Sequence, residues 1–115
     1  MKIAVVGGRN FQDYEVLSRV LRDEFFYRKE ILVSGGAEGA DKLAERWATE
    51  NQIETEIIRP DYSKYPPHLA PLYRNELIAE RCDYMVAFWD GKSRGTYNAI
   101  KHALSLKKQV LIQGF

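Results

Sequence analysis

Short apolar runs and amphipathic segments take turns along this chain, and that alternation decides the kind of fold open to it. "KIAVVGG" is rich in β-branched residues and stopped by glycines, "ILVSGG" repeats the pattern, and "IETEII", "YMVAFW" and "QVLIQ" follow. Between them lie segments with apolar residues at helical spacing. Val16, Leu17, Val20, Leu21 and Phe25 mark "DYEVLSRVLRDEFF", and Ala40, Leu43, Ala44, Trp47 and Ala48 mark "ADKLAERWATEN". "LYRNELIAERC", entered through Pro71 at a first-turn position, and "TYNAIKHALSL" complete the set. Strand and helix in strict alternation predict an α/β fold with a parallel sheet covered on both faces. "YMVAFW" is apolar throughout, as a strand buried on both faces must be. At 115 residues the chain reads as a single domain over 1–115, long enough to bury a core.

The site is expected at one end of that sheet. In open α/β sheets the ligand lies beyond the carboxyl ends of the strands, where strand order reverses. With the common order 3-2-1-4-5, strands two, one and four are neighbours. "GGRNF", "SGGAEGAD" and "WDGKSRGT" then converge on one crevice, beside "YRN" from the third helix. Gly7 and Gly8 allow a tight turn and close backbone approach. Arg9 adds a planar donor fork matched to phosphate or carboxylate. Gly35, Gly36 and Gly39 sit where backbone N–H groups at a helix start favour an anion, and Gly95 and Thr96 repeat the arrangement, with Ser93 or Thr96 as cap. Phe11, Ser34, Arg74, Asn75, Asp90 and Gly91 complete the candidate ligand-binding set. Two helix starts facing each other suit a diphosphate, or a phosphate and a sugar. Asp41 puts a carboxylate in the first turn of the second helix, which suits the helix dipole but repels a bound phosphate. Either it accepts from a ribose hydroxyl pair, or it ties down a neighbouring loop through backbone N–H groups or Arg9.

The remaining features carry less. "RPDYSKYPPHLAP", Arg59 to Pro71, holds all four prolines and is long for such a connection. Tyr62 and Tyr65 in it serve as a lid, as a stacking surface for a base, or as packing onto the body. His68 and His102 lack metal-ligand spacing with Cys82 or a carboxylate, so no metal is expected. Ser34 has no histidine placed to activate it as a nucleophile. Cys82 is the sole cysteine, which fits a reducing cytoplasm. No apolar run approaches a membrane span, and "MKIAVVGG" reads as a strand rather than a leader. The net charge of +1 lacks a basic footprint, so no nucleic-acid partner is expected. A homodimer stays open.

Taken together, "GGRNF", "SGGAEGADKLAERWA", "YRNELIAE" and "AFWDGKSRGTYNAI" resemble the small YspA/YpsA-type branch of the SLOG superfamily. That superfamily also holds the LOG-type phosphoribohydrolases and the DprA/Smf DNA-processing proteins. The resemblance spans nearly the whole chain. It implies a Rossmann-like three-layer α/β/α sandwich with a five-stranded parallel sheet, and a nucleotide or a derivative such as ADP-ribose as ligand, with no further cofactor required. In the LOG enzymes an arginine and a glutamate soon after the glycine-threonine loop are catalytic. Arg74 matches the arginine, but Tyr97, Asn98 and Ala99 follow Thr96 with no carboxylate. Asp41 and Asp90 are the remaining acids for N-glycosidic hydrolysis of a nucleoside phosphate or NAD-derived ligand. The expectation is therefore a binding or sensor domain first, a hydrolase second and a DprA-like DNA-associated protein third.

Overall fold

The computed structural model describes residues 1–27 and 29–115. The elements run β1 (Lys2–Gly7), α1 (Tyr14–Glu24), β2 (Ile31–Ser34), α2 (Ala40–Glu50), β3 (Thr55–Ile57), α3 (Ala70–Arg81), β4 (Tyr84–Trp89), α4 (Arg94–Ser105) and β5 (Gln109–Gly114). All strands pair in parallel, in the order β3-β2-β1-β4-β5. The parallel sheet covered on both faces, read from the alternation, and the five-stranded α/β/α sandwich implied by the resemblance are the fold observed.

The helices begin and end where the residues dictate. Asp13 caps α1, its side chain accepting from the Val16 amide at 3.1 Å, and Leu17, Leu21 and Phe25 point inward. In α3, Pro71 occupies the first turn, where its missing N–H costs no helical bond. Ser93 caps α4. β3 is shorter than "IETEII" implies. Ile53 and Ile58 are buried beyond its two ends, while the central residues are only partly covered.

Two cores flank the sheet. One joins α1 and α2 through Leu17, Leu21, Phe25, Leu32, Trp47 and Phe88. The other joins α3 and α4 through Val6, Val33, Ile78, Cys82, Met85 and Ile100. Cys82 is a buried thiol in the second core. Filling both faces of β1 and β4 fixes their carboxyl ends, so the loops that leave them start from rigid positions. Among the described residues, no helix is long and apolar enough to cross a membrane.

Candidate functional site

Four parts of the chain meet at the carboxyl ends of β2, β1 and β4. They enclose a crevice of about 200 Å³, walled by Gly7 and Arg9 after β1, Ala37 and Asp41 around the start of α2, Pro71, Arg74 and Asn75 from α3, and Ser93, Gly95 and Thr96 from α4. Arg9, Ala37, Pro71 and Arg74 also line a wider depression of about 440 Å³, which adds Gly35, Gly36, Glu38, Arg59, Pro60 and Tyr62. The two are halves of one trough with arginines along it.

Arg74 is the fixed centre of that trough. Its side chain is buried, its Nη1 donates to the Gly35 carbonyl at 2.5 Å and its Nε to Asn75 Oδ1 at 2.9 Å. Asn75 in turn donates through Nδ2 to the Gly95 carbonyl at 3.1 Å. These bonds lock the guanidinium between the β2 loop and the start of α4. Nη2 has no hydrogen-bond partner among the described residues. Burial draws the Arg74 pKa down and the charge of Asp41 draws it up, but an arginine stays protonated at any ordinary pH.

Asp41 shares the crevice wall. Burial raises its pKa from 3.8 to about 6, with the Ala37 amide and Arg74 holding it back. The Ala37 N–H donates to its Oδ2 at 3.3 Å. Of the two roles the sequence leaves open, the contact present is a backbone N–H, but it comes from Ala37 in the segment leading into α2 rather than from Arg9. Gly35 lies between the two charged groups: a Cβ there would come within 2.9 Å of both Arg74 Nη1 and Asp41 Oδ2.

The β2 loop is therefore not an open cradle of amides. The Gly36 N–H donates to Ser34 Oγ at 3.3 Å, the Ala37 N–H goes to Asp41, and the Ala40 N–H donates to the Gly8 carbonyl at 3.3 Å. The start of α4 differs. Ser93 Oγ accepts from the Thr96 N–H at 3.4 Å, while the Arg94 and Gly95 amides donate to nothing among the described residues. An unsatisfied first turn is where an anion is stabilised; α4 offers its first two amides, while α2, with no side-chain cap at Gly39, has already given the Ala40 N–H to Gly8.

Several residues expected at the ligand stand elsewhere. Phe11 is in the core, its ring 4.8 Å from that of Phe88 and 4.9 Å from that of Phe115. Ser34 is fully buried and donates to Glu45 Oε2 at 2.6 Å. Gly8 takes part in the turn: its N–H donates to the Phe88 carbonyl at 3.1 Å, and a Cβ on it would meet Phe115. Gly39 has φ of +88° and packs on the Gly8 and Arg9 carbonyls, so its role is loop-to-loop contact. Asp90 accepts from the Lys92 and Ser93 amides at 2.9 Å each, which lowers its pKa. It shapes the turn with Gly91 and lines neither half of the trough. In the long loop, Tyr65 stacks on Tyr73 with ring centres 4.1 Å apart, which is packing onto the body. Tyr62 lines the wider depression and is exposed. Several lining residues were not among those expected at the ligand, Ala37, Glu38 and Arg59 among them. Arg59 follows the third strand at its carboxyl end, the position that was the signal for it.

The model of the YspA, cpYpsA-related SLOG family matches residues 1–65, more than half of the chain. The chain belongs to that family. A curated relative, the gene 61 protein of Mycobacterium phage D29, is 28% identical over 109 residues, covering 89% of this chain and 87% of that protein. Solved structures share the fold. DprA from Streptococcus pneumoniae superposes with a TM-score of 0.79 at 19% identity, over 96% of this chain and 49% of that one. DprA from Helicobacter pylori, whose structure concerns its single-stranded DNA binding mode, gives 0.80 at 21% identity, over 97% and 64%. TM1055 gives 0.70 at 22% identity, over 95% and 71%. This SLOG chain spans about half to two thirds of the length of those DprA chains.

One expectation is overturned by these matches. The absence of a nucleic-acid partner was argued from a net charge of +1, yet the fold of this chain is shared by a protein with a single-stranded DNA binding mode. A balance summed over the chain says nothing of local placement. Arg9, Arg59 and Arg74 share one depression here, while acids such as Glu50 and Glu56 are paired elsewhere with Arg46, Lys2 and Arg81.

Proposed function

We propose that this SLOG domain binds a phosphate-bearing nucleotide derivative, with the phosphate held by Arg74 Nη2, Arg9 and the first amides of α4. The observation that carries the reading is the fixed Arg74 facing the unsatisfied first turn of α4 across a crevice of about 200 Å³. The adjoining depression gives the rest of the ligand room beside Tyr62 and Arg59, and an aromatic face there suits a nucleobase.

Binding is preferred to hydrolysis on two grounds. Asp90 is committed to backbone amides away from the trough. Asp41 is buried and bonded to Ala37, so it has little reach to a sugar. A second reading is supported by the fold shared with Helicobacter pylori DprA: single-stranded DNA lying along the same trough, its phosphates on Arg9 and Arg59.

The test is a thermal-shift panel of nucleoside phosphates, NAD derivatives and ADP-ribose, beside an anisotropy titration with a labelled single-stranded oligonucleotide. A ligand at about a hundred times its dissociation constant adds about 2.7 kcal/mol to stability. Arg9→Ala is expected to remove most of that shift and leave the apo protein folded. No shift from any small ligand, with tight oligonucleotide binding that Arg9→Ala weakens, gives first place to the DNA reading. Neither response refutes both. Chromatographic release of free base at about 1 per second or faster makes the domain a hydrolase.

A further inference from the structure

We infer that β5 is the contact by which two copies of this chain pair, antiparallel and about a two-fold axis through Leu111, into one ten-stranded sheet. This is independent of what the crevice binds. Among the described residues, β5 ends the sheet with β4 as its single neighbour, so one edge of its backbone groups has no partner. Natural proteins blunt such an edge with charge, proline, a bulge or shortness. The opposite edge shows it: β3 has three residues, and Glu56 on it is paired with both Lys2 and Arg81. β5 has none of these devices. Its six residues, "QVLIQG", carry no charge and no proline, and pair with β4 in unbroken register. The nearest charge, Lys108, is turned back into its own chain, donating to the Ala79 and Glu80 carbonyls at 2.8 and 2.5 Å.

The strand is its own complement. Antiparallel pairing about Leu111 sets Gln109 against Gln113, Val110 against Ile112 and Leu111 against Leu111 of the second copy. Amide meets amide, branched aliphatic meets branched aliphatic, and no charge is buried. A two-fold interface requires such self-complementarity, and opposed aliphatic pairs are what stabilise an added strand. The strand's own apolar side chains are open: Leu111 is 36% exposed and Ile112 47%, with Leu106 and Phe115 exposed just before and after the strand and Tyr97 and Leu104 exposed on α4. Tyr97 and Leu104 lie seven residues apart on the outer flank of α4. An axis perpendicular to the sheet brings the two copies of that flank to the same face.

Sedimentation and native mass spectrometry of the whole chain, from nanomolar to near-millimolar, are expected to show a monomer–dimer equilibrium. Leu111→Lys sets like charges opposite each other on the axis and is expected to give monomer with an unchanged circular dichroism spectrum. Opposed residues in such a pair are about 4.5–5.5 Å apart, within reach of a disulfide. Leu111→Cys is therefore expected to cross-link to itself under mild oxidation. Ile112→Cys alone, which faces Val110, is not, and the double variant with Val110→Cys is. Cys82 is buried and does not compete. A monomer at every concentration, a dimer that survives Leu111→Lys, or Ile112→Cys linking as fast as Leu111→Cys overturns the inference.

Discussion

Asp41 is where single-residue chemistry is most exposed to test. Its pKa in the fold is about 6 against an ordinary 3.8, so the folded protein holds the proton more tightly than the unfolded chain. The sign follows. The contribution favours folding below about pH 4 and is lost as pH rises through 6. About two units at ~1.4 kcal/mol each amount to about 3 kcal/mol. Asn at this position keeps an acceptor for the Ala37 N–H and sheds the ionisation. Asp41→Asn is expected to melt higher than the parent at neutral pH and to lose the slope between about pH 4 and 6, as read by thermal melts across that range. A variant that melts lower at neutral pH would show that Arg74 needs the counter-charge more than the fold resents it. The sequence placed Asp41 and Arg74 at the right end of the sheet. It was silent on which amides were already used: Gly36 and Ala37 spend theirs on Ser34 and Asp41, a matter of side-chain rotamer that spacing does not encode.

The same limit separates glycines at the level of the element. Gly39 and Gly91 both have positive φ, at +88° and +82°, and both follow a strand in a glycine-bearing loop. Their surroundings differ. A Cβ on Gly39 runs into the Gly8 and Arg9 carbonyls, whereas one on Gly91 meets nothing within 4 Å. Gly91→Ala is expected to cost only the left-handed strain, about 1–2 kcal/mol. Gly39→Ala must also part the β1 and β2 loops, and is expected to cost upwards of about 4 kcal/mol and to abolish ligand binding. Denaturant unfolding of the two variants makes the comparison, and equal costs would remove the loop-to-loop role of Gly39. α4 gives a further handle. Ser93→Ala removes the cap and is expected to cost about 1 kcal/mol, or about 4 °C in Tm, with weaker phosphate binding. Strands and helices themselves were legible because period and length agree, as in "YMVAFW" and "DYEVLSRVLRDEFF". β3 was overdrawn because Ile53 and Ile58 are buried by the body beyond the ladder.

Across the whole molecule, the order β3-β2-β1-β4-β5 explains why one end carries the arginines. It also explains why net charge misled: the sum over 115 residues hides a trough that gathers Arg9, Arg59 and Arg74. If nucleotide and single-stranded DNA use that trough, each excludes the other. A nucleotide that gives a thermal shift is then expected to displace a labelled oligonucleotide in an anisotropy competition. Simultaneous binding would assign them separate surfaces.

Phe115 ties the edge strand to the loop after β1. Its ring packs edge-on against Phe11, and it stands over Gly8, just past the last residue of β5 and one step from Arg9. The end of the edge strand and the loop after β1 therefore share a packing contact. Ordering either one prepays part of the entropy of ordering the other. Thermodynamic reciprocity then demands that any factor by which strand pairing tightens the hold on ligand is the factor by which ligand tightens strand pairing. If the copies pair through β5 and the crevice binds ligand, affinity in the crevice is a function of protein concentration, and Phe115→Ala is expected to weaken that dependence.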